Sequence, residues 1–374
     1  MSRRTRSEQV TEWQLLVLMY GILVPTAQLY LVGVTARTAG RDAWMAAPLA
    51  APVGLGVLFL LQRLLRRYPG ESLVRAAGRL PRGLGRLVPL PLLLWLTHST
   101  GTLAIEFAQF ISTSLLPLAP IGVIVIPAIV VGAYAVYLGI ETIARVAEIL
   151  VPPMTAISAL ILVLTLPHFS FQRLEPILAD GPMPVVRAAL GPASRYAELV
   201  LLGFVGPHLV RLRRFTAVSL TGWLAITLGL FFTGLGTMGV WGLLAGQLTF
   251  PFYSLGTLVE LGEYLPRLDV ITTLLWTGGM FVKFALFLYA EVGGWADWLG
   301  LDDHRPLVPW AAVVTVVIGL TLFPGESDLV AYISGLFPVV TLAVTLGTLA
   351  AVLLPGAGGP GRRAERTAAP GEAR

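Results

Sequence analysis

"GILVP" (Gly21–Pro25) and "GFVGP" (Gly203–Pro207) repeat one Gly-x-x-x-Pro pattern 182 positions apart, each inside an apolar run long enough to cross a bilayer. Proline removes a backbone donor and clashes with the preceding turn, while glycine tolerates an unwound backbone. Unpaired backbone at membrane depth is tolerated only where it is buried in protein or lines a wet cavity. Matching broken helices in two halves of a membrane chain therefore point to a midplane site. Half-helix N-termini there attract a carboxylate, and freed carbonyls hold cations or amines. The competing reading is two unrelated proline kinks.

The composition supports the membrane setting. Hydrophobic residues make up 56% of the chain and charged residues only 13%, with a mean hydropathy of +0.79. A soluble globule is nearer one quarter charged. Apolar stretches of the roughly twenty residues needed to span hydrocarbon recur at 12–35, 43–65, 88–116, 121–140, 149–167, 195–210, 215–237, 268–290, 307–323 and 329–353. Ten helices divide into two sets of five, and an odd number per set makes the halves inverted. The sequence thus predicts an all-α integral membrane protein with two inverted five-helix repeats, an amino acid transporter-like fold, and broken first and sixth helices.

The net charge of +5 does not point to nucleic acid, because the positive-inside rule alone gives a membrane protein basic loops. With the N-terminus cytoplasmic, nineteen arginines fall on the inner side. Six fall outside: Arg37, Arg41, Arg173, Arg187, Arg195 and Arg267. Both termini are expected inside. Residues 1–11 read as a cytoplasmic segment and 12–353 as one permease-like domain. The Gly-, Pro- and charge-rich 354–374 read as a disordered cytoplasmic tail. The first apolar run exceeds a signal-peptide core and is expected to be retained. Ser254–Leu265 reads as an amphipathic helix across the extracellular mouth.

Polar residues inside the spans are the functional candidates. His98, Thr102 and Glu106 share one face of the third span at i, i+4 and i+8. A charged carboxylate near mid-membrane costs about 2.5–3.5 kcal/mol on insertion scales, so Glu106 needs a partner, water or a function. It is either a working residue or a paired structural acid. Lys283, the only lysine, lies in the eighth span. Its ammonium either stands in for a coupling cation or carries a proton, or it snorkels to the interface. Tyr289 reads as an interface anchor with a second role at the pocket. Glu141, Arg145 and Glu148 in "GIETIARVAEIL" (Gly139–Leu150) form an ion-pair cluster at helical spacing, read as a cytoplasmic hinge or latch in the fourth loop.

No cysteine is present, which removes disulfides and thiolate chemistry, and the four histidines lack metal-like spacing. No phosphate-binding loop, dinucleotide fingerprint or nucleophile–base set is found, so neither an enzyme nor a cofactor is expected.

"GIETIARVAEILVP" (Gly139–Pro152) and "FPFYSLGTLVELGEYLPRLDVITTLLWTGGMFVKFALFLY" (Phe250–Tyr289) resemble signature segments of the spore germination receptor B-subunit family, permease-like members of the amino acid-polyamine-organocation superfamily. "GRDAWMAAP" (Gly40–Pro48) and "RRYPGESLVRAAGR" after the second span add to the resemblance, which runs through most of residues 10–353. It implies the inner membrane of an endospore, with an A-type membrane subunit and a C-type lipoprotein as partners. It also implies that a small nutrient germinant, commonly an amino acid, binds between the broken helices and the third and eighth spans. The implied site takes in Gly21, Pro25, Thr26, His98, Thr102, Glu106, Gly203, Gly206, Ala285 and Tyr289. From their own placement, and apart from the resemblance, Glu106, Lys283, Glu141 and Arg145 are expected to serve coupling or gating. Family members often carry an acid just after the sixth-span Gly-aromatic pair, whereas Gly203-Phe204 is followed here by Val205, implying a less acidic pocket. Two other readings use the same residues: a proton- or cation-coupled amino acid transporter, and a water or ion path along His98–Glu106.

Overall fold

Thr11 starts the first helix with a reciprocal cap: its hydroxyl accepts from the Gln14 amide, and the Gln14 side chain accepts from the Thr11 amide. From there α1 (Glu12–Thr26) runs through Gly21 as regular helix, passes a π-helical turn at Ala27–Leu31, and continues as α2 (Val32–Ala39). The computed structural model describes residues 8–81, 83–259, 268–323 and 325–354. After a 3₁₀ turn at Gly40–Met45 come α3 (Ala46–Arg67), the short α4 (Leu73–Ala77) and α5 (Leu84–Leu87), then α6 (Leu90–Ser114), α7 (Ile121–Leu138) and α8 (Ile140–Leu164). The second half holds α9 (Met183–Ala188), α10 (Leu190–Ala197), α11 (Leu202–Val205), α12 (Phe215–Trp241), α13 (Tyr253–Gly256) and α14 (Leu268–Leu299). It closes with α15 (Val308–Thr321), α16 (Glu326–Ser334) and α17 (Leu336–Leu353).

Among the described residues, seven helical stretches are long and apolar enough to cross a bilayer alone, or eight if Arg305–Thr321 with Glu326–Ser334 is one bent crossing. The difference from ten has a physical source. Glu12–Arg67 counts once but has 56 residues, about 84 Å of helix, which is enough for two passes. The sixth crossing escapes any length test because it is cut into pieces: α10, a 3₁₀ turn at Glu198–Leu201, α11 and a second 3₁₀ turn at Gly206–His208.

Both predicted breaks are therefore present, but neither is frank unwinding. In the first helix Pro25 has no N–H for the Gly21 carbonyl, and the chain inserts a π turn just beyond it. Gly21 serves close approach instead. A Cβ there would sit 3.1 Å from Val282 Cγ1 and 3.4 Å from Val151 Cγ2, so its hydrogen lets α14 and α8 press on α1. Gly206 likewise admits Leu65 of α3, whose Cδ2 lies 2.5 Å from where a Cβ would stand.

A single residue turns α7 into α8. Gly139 has φ +100°, a conformation that a side chain resists, and the Glu8 carboxylate fills the place that a Cβ would take there. Glu8 accepts from the Ile140 amide at 3.0 Å and caps α8 from another part of the chain. Glu141, Arg145 and Glu148 consequently lie in the first turns of α8 and not in a separate loop. Only part of the predicted amphipathic helix is described: α13 covers Tyr253–Gly256, and 260–265 lie outside the described residues, as do 355–374.

Candidate functional site

Lys283 sits at the centre of the 32-residue α14. It is 0% exposed, so snorkelling is overturned. Its ammonium donates to Glu198 Oε2 and to Thr26 Oγ1, both at 2.6 Å. Thr26 is the last residue of α1 before the π turn, and Glu198 begins the 3₁₀ turn of the sixth crossing. One cation thus joins both broken helices.

Arg195, one turn before Glu198, extends the network. Its Nη1 donates to Glu198 Oε1 at 2.9 Å and its Nη2 to Glu106 Oε1 at 3.2 Å. Glu106 and Glu198 are 0% exposed and Arg195 is 1% exposed. Arg195, assigned by sequence to the outer loops, is therefore a core residue, which leaves five arginines expected on the outer side. The two cations also face aromatic rings, Arg195 over Phe337 at 5.0 Å and Lys283 over Phe287 at 5.6 Å. Tyr30, inside the π turn, donates to the Glu106 carbonyl at 3.2 Å. The network ties α1, α6, the sixth crossing and α14 at one depth.

Beside it lies a neutral polar set centred on Gln28, also in the π turn. Its Oε1 accepts from Ser158 and from the Trp276 indole, each at 3.1 Å, and its Nε2 donates to Thr233 at 3.2 Å. The π turn places these side chains inward, which explains why the residues following Pro25 carry more of the chemistry than the pentapeptide does.

The other predicted site residues divide. His98 meets the Tyr332 hydroxyl at 2.5 Å, on α16, and Thr102 donates back to the His98 carbonyl at 3.0 Å. The stripe therefore delivers only Glu106 to the charges. Gly203 packs against α3 and α4, its Cβ position 3.2 Å from Leu73 Cβ and 3.3 Å from Leu61 Cδ2. Ala285 is fully buried on α14. Tyr289 is no simple interface anchor, being 6% exposed with its hydroxyl 3.0 Å from His208 Nε2. Arg145 and Glu141 pair at 2.7 Å on an exposed face, away from the core charges.

Tyr289 and His208 stand at the inner wall of a polar cavity of about 460 Å³, which is also lined by Glu8, Arg75, Asp297 and His304. The six residues from Lys283 to Tyr289 put the charge network about 9 Å deeper along α14. Asp297 accepts from Ser72 and Arg75, each at 2.5 Å. Val10 pairs with the strand-like residues after the sixth crossing, Val10 N–H to His208 O at 2.9 Å and Val210 N–H to Val10 O at 3.1 Å. The segment before α1 is thus laced to the same end of the bundle as this cavity.

Sequence reasoning missed Arg195, Glu198, Tyr30 and Gln28. The signal was present for two of them: a basic and an acidic residue three apart, "RYAE", inside the stretch assigned to the sixth span.

An all-α bundle with two interrupted crossings and buried charge at their meeting point defines a membrane protein of transporter-like fold. Solved transporters share it. Mhp1, a nucleobase-cation-symport-1 family transporter in a closed conformation with bromovinylhydantoin bound, matches with a TM-score of 0.66 at 16% identity, covering 87% of this chain and 75% of that one. MhsT in complex with L-phenylalanine matches at 0.63 and 15% identity, covering 91% and 89%. The chain belongs to the spore germination protein family, whose model matches residues 9–326. Among its relatives, spore germination protein KB of Bacillus subtilis is 30% identical over 271 residues, 68% of this chain and 70% of that protein. Spore germination protein XB of Bacillus anthracis is 23% identical over 256 residues, 67% and 70%.

Proposed function

We propose that this protein is the membrane subunit of a nutrient germinant receptor, and that a small germinant, an amino acid, binds at the midplane between the broken helices and α6 and α14. The observation that carries the reading is the buried Glu106–Arg195–Glu198–Lys283 network, set on both interrupted helices of a chain from the spore germination protein family. Buried ion pairs add little net stability compared with apolar packing, so four charges at one depth need another reason. Ligand recognition supplies one. A germinant shifts the bundle between two states by binding one of them more tightly.

In this reading the chain lies in the inner membrane of an endospore with both termini cytoplasmic, residues 1–11 and 354–374 flanking a permease-like domain at 12–353. The partners are an A-type membrane subunit and a C-type lipoprotein, and the polar cavity near Glu8 opens to the cytoplasm. The test is a tagged pull-down from detergent-solubilised spore membranes. Recovery of an A-type subunit and a lipoprotein supports the receptor. Recovery of this chain alone, beside intact complexes from a control receptor, overturns it.

One observation favours a second reading. Lys283 places a cation at the midplane against Glu198 and Thr26, in a fold shared with a sodium-coupled sialic acid symporter at a TM-score of 0.65. A proton- or cation-coupled amino acid transporter would accumulate labelled substrate in proteoliposomes, whereas a receptor subunit would bind without uptake.

A further inference from the structure

One acceptor in the midplane charges has no donor among the described residues. Arg195 takes one oxygen of each glutamate and Lys283 takes the second oxygen of Glu198. Glu106 Oε2 receives no donor from any described residue, although the side chain is fully buried. A buried acceptor without a donor forfeits its hydration with nothing in return, and the loss is larger for a charged group. Two acids and two bases sum to zero when all are ionised, so a guest must itself be net neutral or it restores the cost of a buried charge. The strongest complement to the open oxygen is an N⁺–H donor.

We propose that Glu106 Oε2 receives the ammonium group of a small zwitterion, whose carboxylate is taken by Arg195. The proposal rests on the receptor reading above and deepens it by assigning the amine to Glu106 and the carboxylate to Arg195, so that neither a sugar nor a simple carboxylate satisfies the site. Of the three core ion pairs, Arg195–Glu106 at 3.2 Å is the longest, against 2.9 Å for Arg195–Glu198 and 2.6 Å for Lys283–Glu198. It is also the pair that joins α6 to the sixth crossing, and the one the exchange parts. An ammonium arriving at Oε2 shares the charge of Glu106 and frees Arg195 Nη2, which is already at the site to meet the carboxylate. One internal ion pair is exchanged for two to the ligand, and the balance of charge is kept.

The exchange has a mechanical consequence. Arg195–Glu106 ties α6 to the sixth crossing, while Arg195–Glu198 stays within that crossing and Lys283 ties it to α14. Parting the first pair releases the sixth crossing from α6 alone. The state in which the two are separated is the one the zwitterion favours, which gives the ligand the differential affinity that a conformational signal requires.

The experiment uses the purified full chain in detergent, with thermal unfolding followed by the fluorescence of its nine tryptophans. The probes are the twenty common amino acids, their N-acetyl derivatives, propionate, D-glucose and sodium chloride. At least one amino acid should raise the melting temperature, and its N-acetyl derivative, propionate, glucose and sodium should not. Glu106→Gln should weaken binding about tenfold or more, the scale of one charged hydrogen bond. If Glu106→Gln fails to fold, the N-acetyl comparison on the unaltered chain decides alone. Equal shifts from an amino acid and its N-acetyl derivative, or from glucose, propionate or sodium, overturn the proposal, as does undiminished affinity in a folded Glu106→Gln protein. A shift from none of the amino acids also overturns it, while leaving the receptor reading to the subunit pull-down.

Discussion

Glu198 holds both core cations, one on each carboxylate oxygen. Glu198→Gln leaves two buried cations facing Glu106 alone. Removing one partner of a buried pair costs about 3–5 kcal/mol, because the remaining charge cannot return to water. A large drop in thermal stability of the purified protein is expected. Glu141→Gln, which breaks an exposed pair on the first turn of α8, should cost less than about 1 kcal/mol. Similar melting temperatures for Glu198→Gln and the unaltered chain would mean that the network does not hold the crossings together. Glu106 and Lys283 were legible as candidates from the sequence because a charge inside an apolar run is conspicuous on its own. Distance along the chain hid the rest: Glu198 is three residues from Arg195, but Glu106 lies 89 positions from Arg195 and Lys283 lies 85 positions from Glu198.

Helices in a bilayer gain little from burying apolar surface against each other, so close van der Waals contact carries their association. The contact of α6 with α15 shows the principle. A Cβ on Gly101 would lie 2.3 Å from Ile318 Cγ2 and 2.6 Å from Ile318 Cβ, too near the backbone for a rotamer change to relieve. Gly101→Ala should therefore destabilise by about 1–3 kcal/mol, and Ile318→Ala in the same chain should recover part of that loss. A double variant whose loss equals the sum of the single ones would show that the two residues do not meet. The breaks follow the same logic at the level of a helix. Their positions were readable from Gly-x-x-x-Pro, but their form was not: the glycines admit neighbouring side chains, and the irregular turns fall at Ala27–Leu31, Glu198–Leu201 and Gly206–His208.

Across the whole molecule, the end that carries Glu8 holds a polar cavity lined by Tyr289 and His208, and Tyr289 is expected to close it from the buried charges about 9 Å further along α14. The absence of native cysteine makes this arrangement easy to probe. Gly293 lines the cavity and a Cβ there meets nothing within 4 Å, so Gly293→Cys should react with a membrane-impermeant maleimide added on the side of the termini. Ala285→Cys, eight residues or about 12 Å deeper on α14 and fully buried, should stay unlabelled. Equal labelling at both positions would show that Tyr289 and His208 do not close the path. Labelling of Gly293→Cys from the opposite face would reverse the proposed orientation.

The amino-acid sequence alone determined that this is a helical membrane protein, where most of its crossings lie, which two are interrupted, and that Glu106 and Lys283 need explaining. These are local properties: the length of an apolar run, the missing donor of a proline and the cost of one charge in hydrocarbon are each set within a few turns of chain. Only the tertiary structure decided that Arg195 belongs to the core, that His98 and Thr102 turn away from the charges, and that Glu106 keeps one oxygen open. Which charges meet depends on how α1, α6, the sixth crossing and α14 pack, and a side chain's partner across the bundle leaves no trace in its own neighbourhood of sequence.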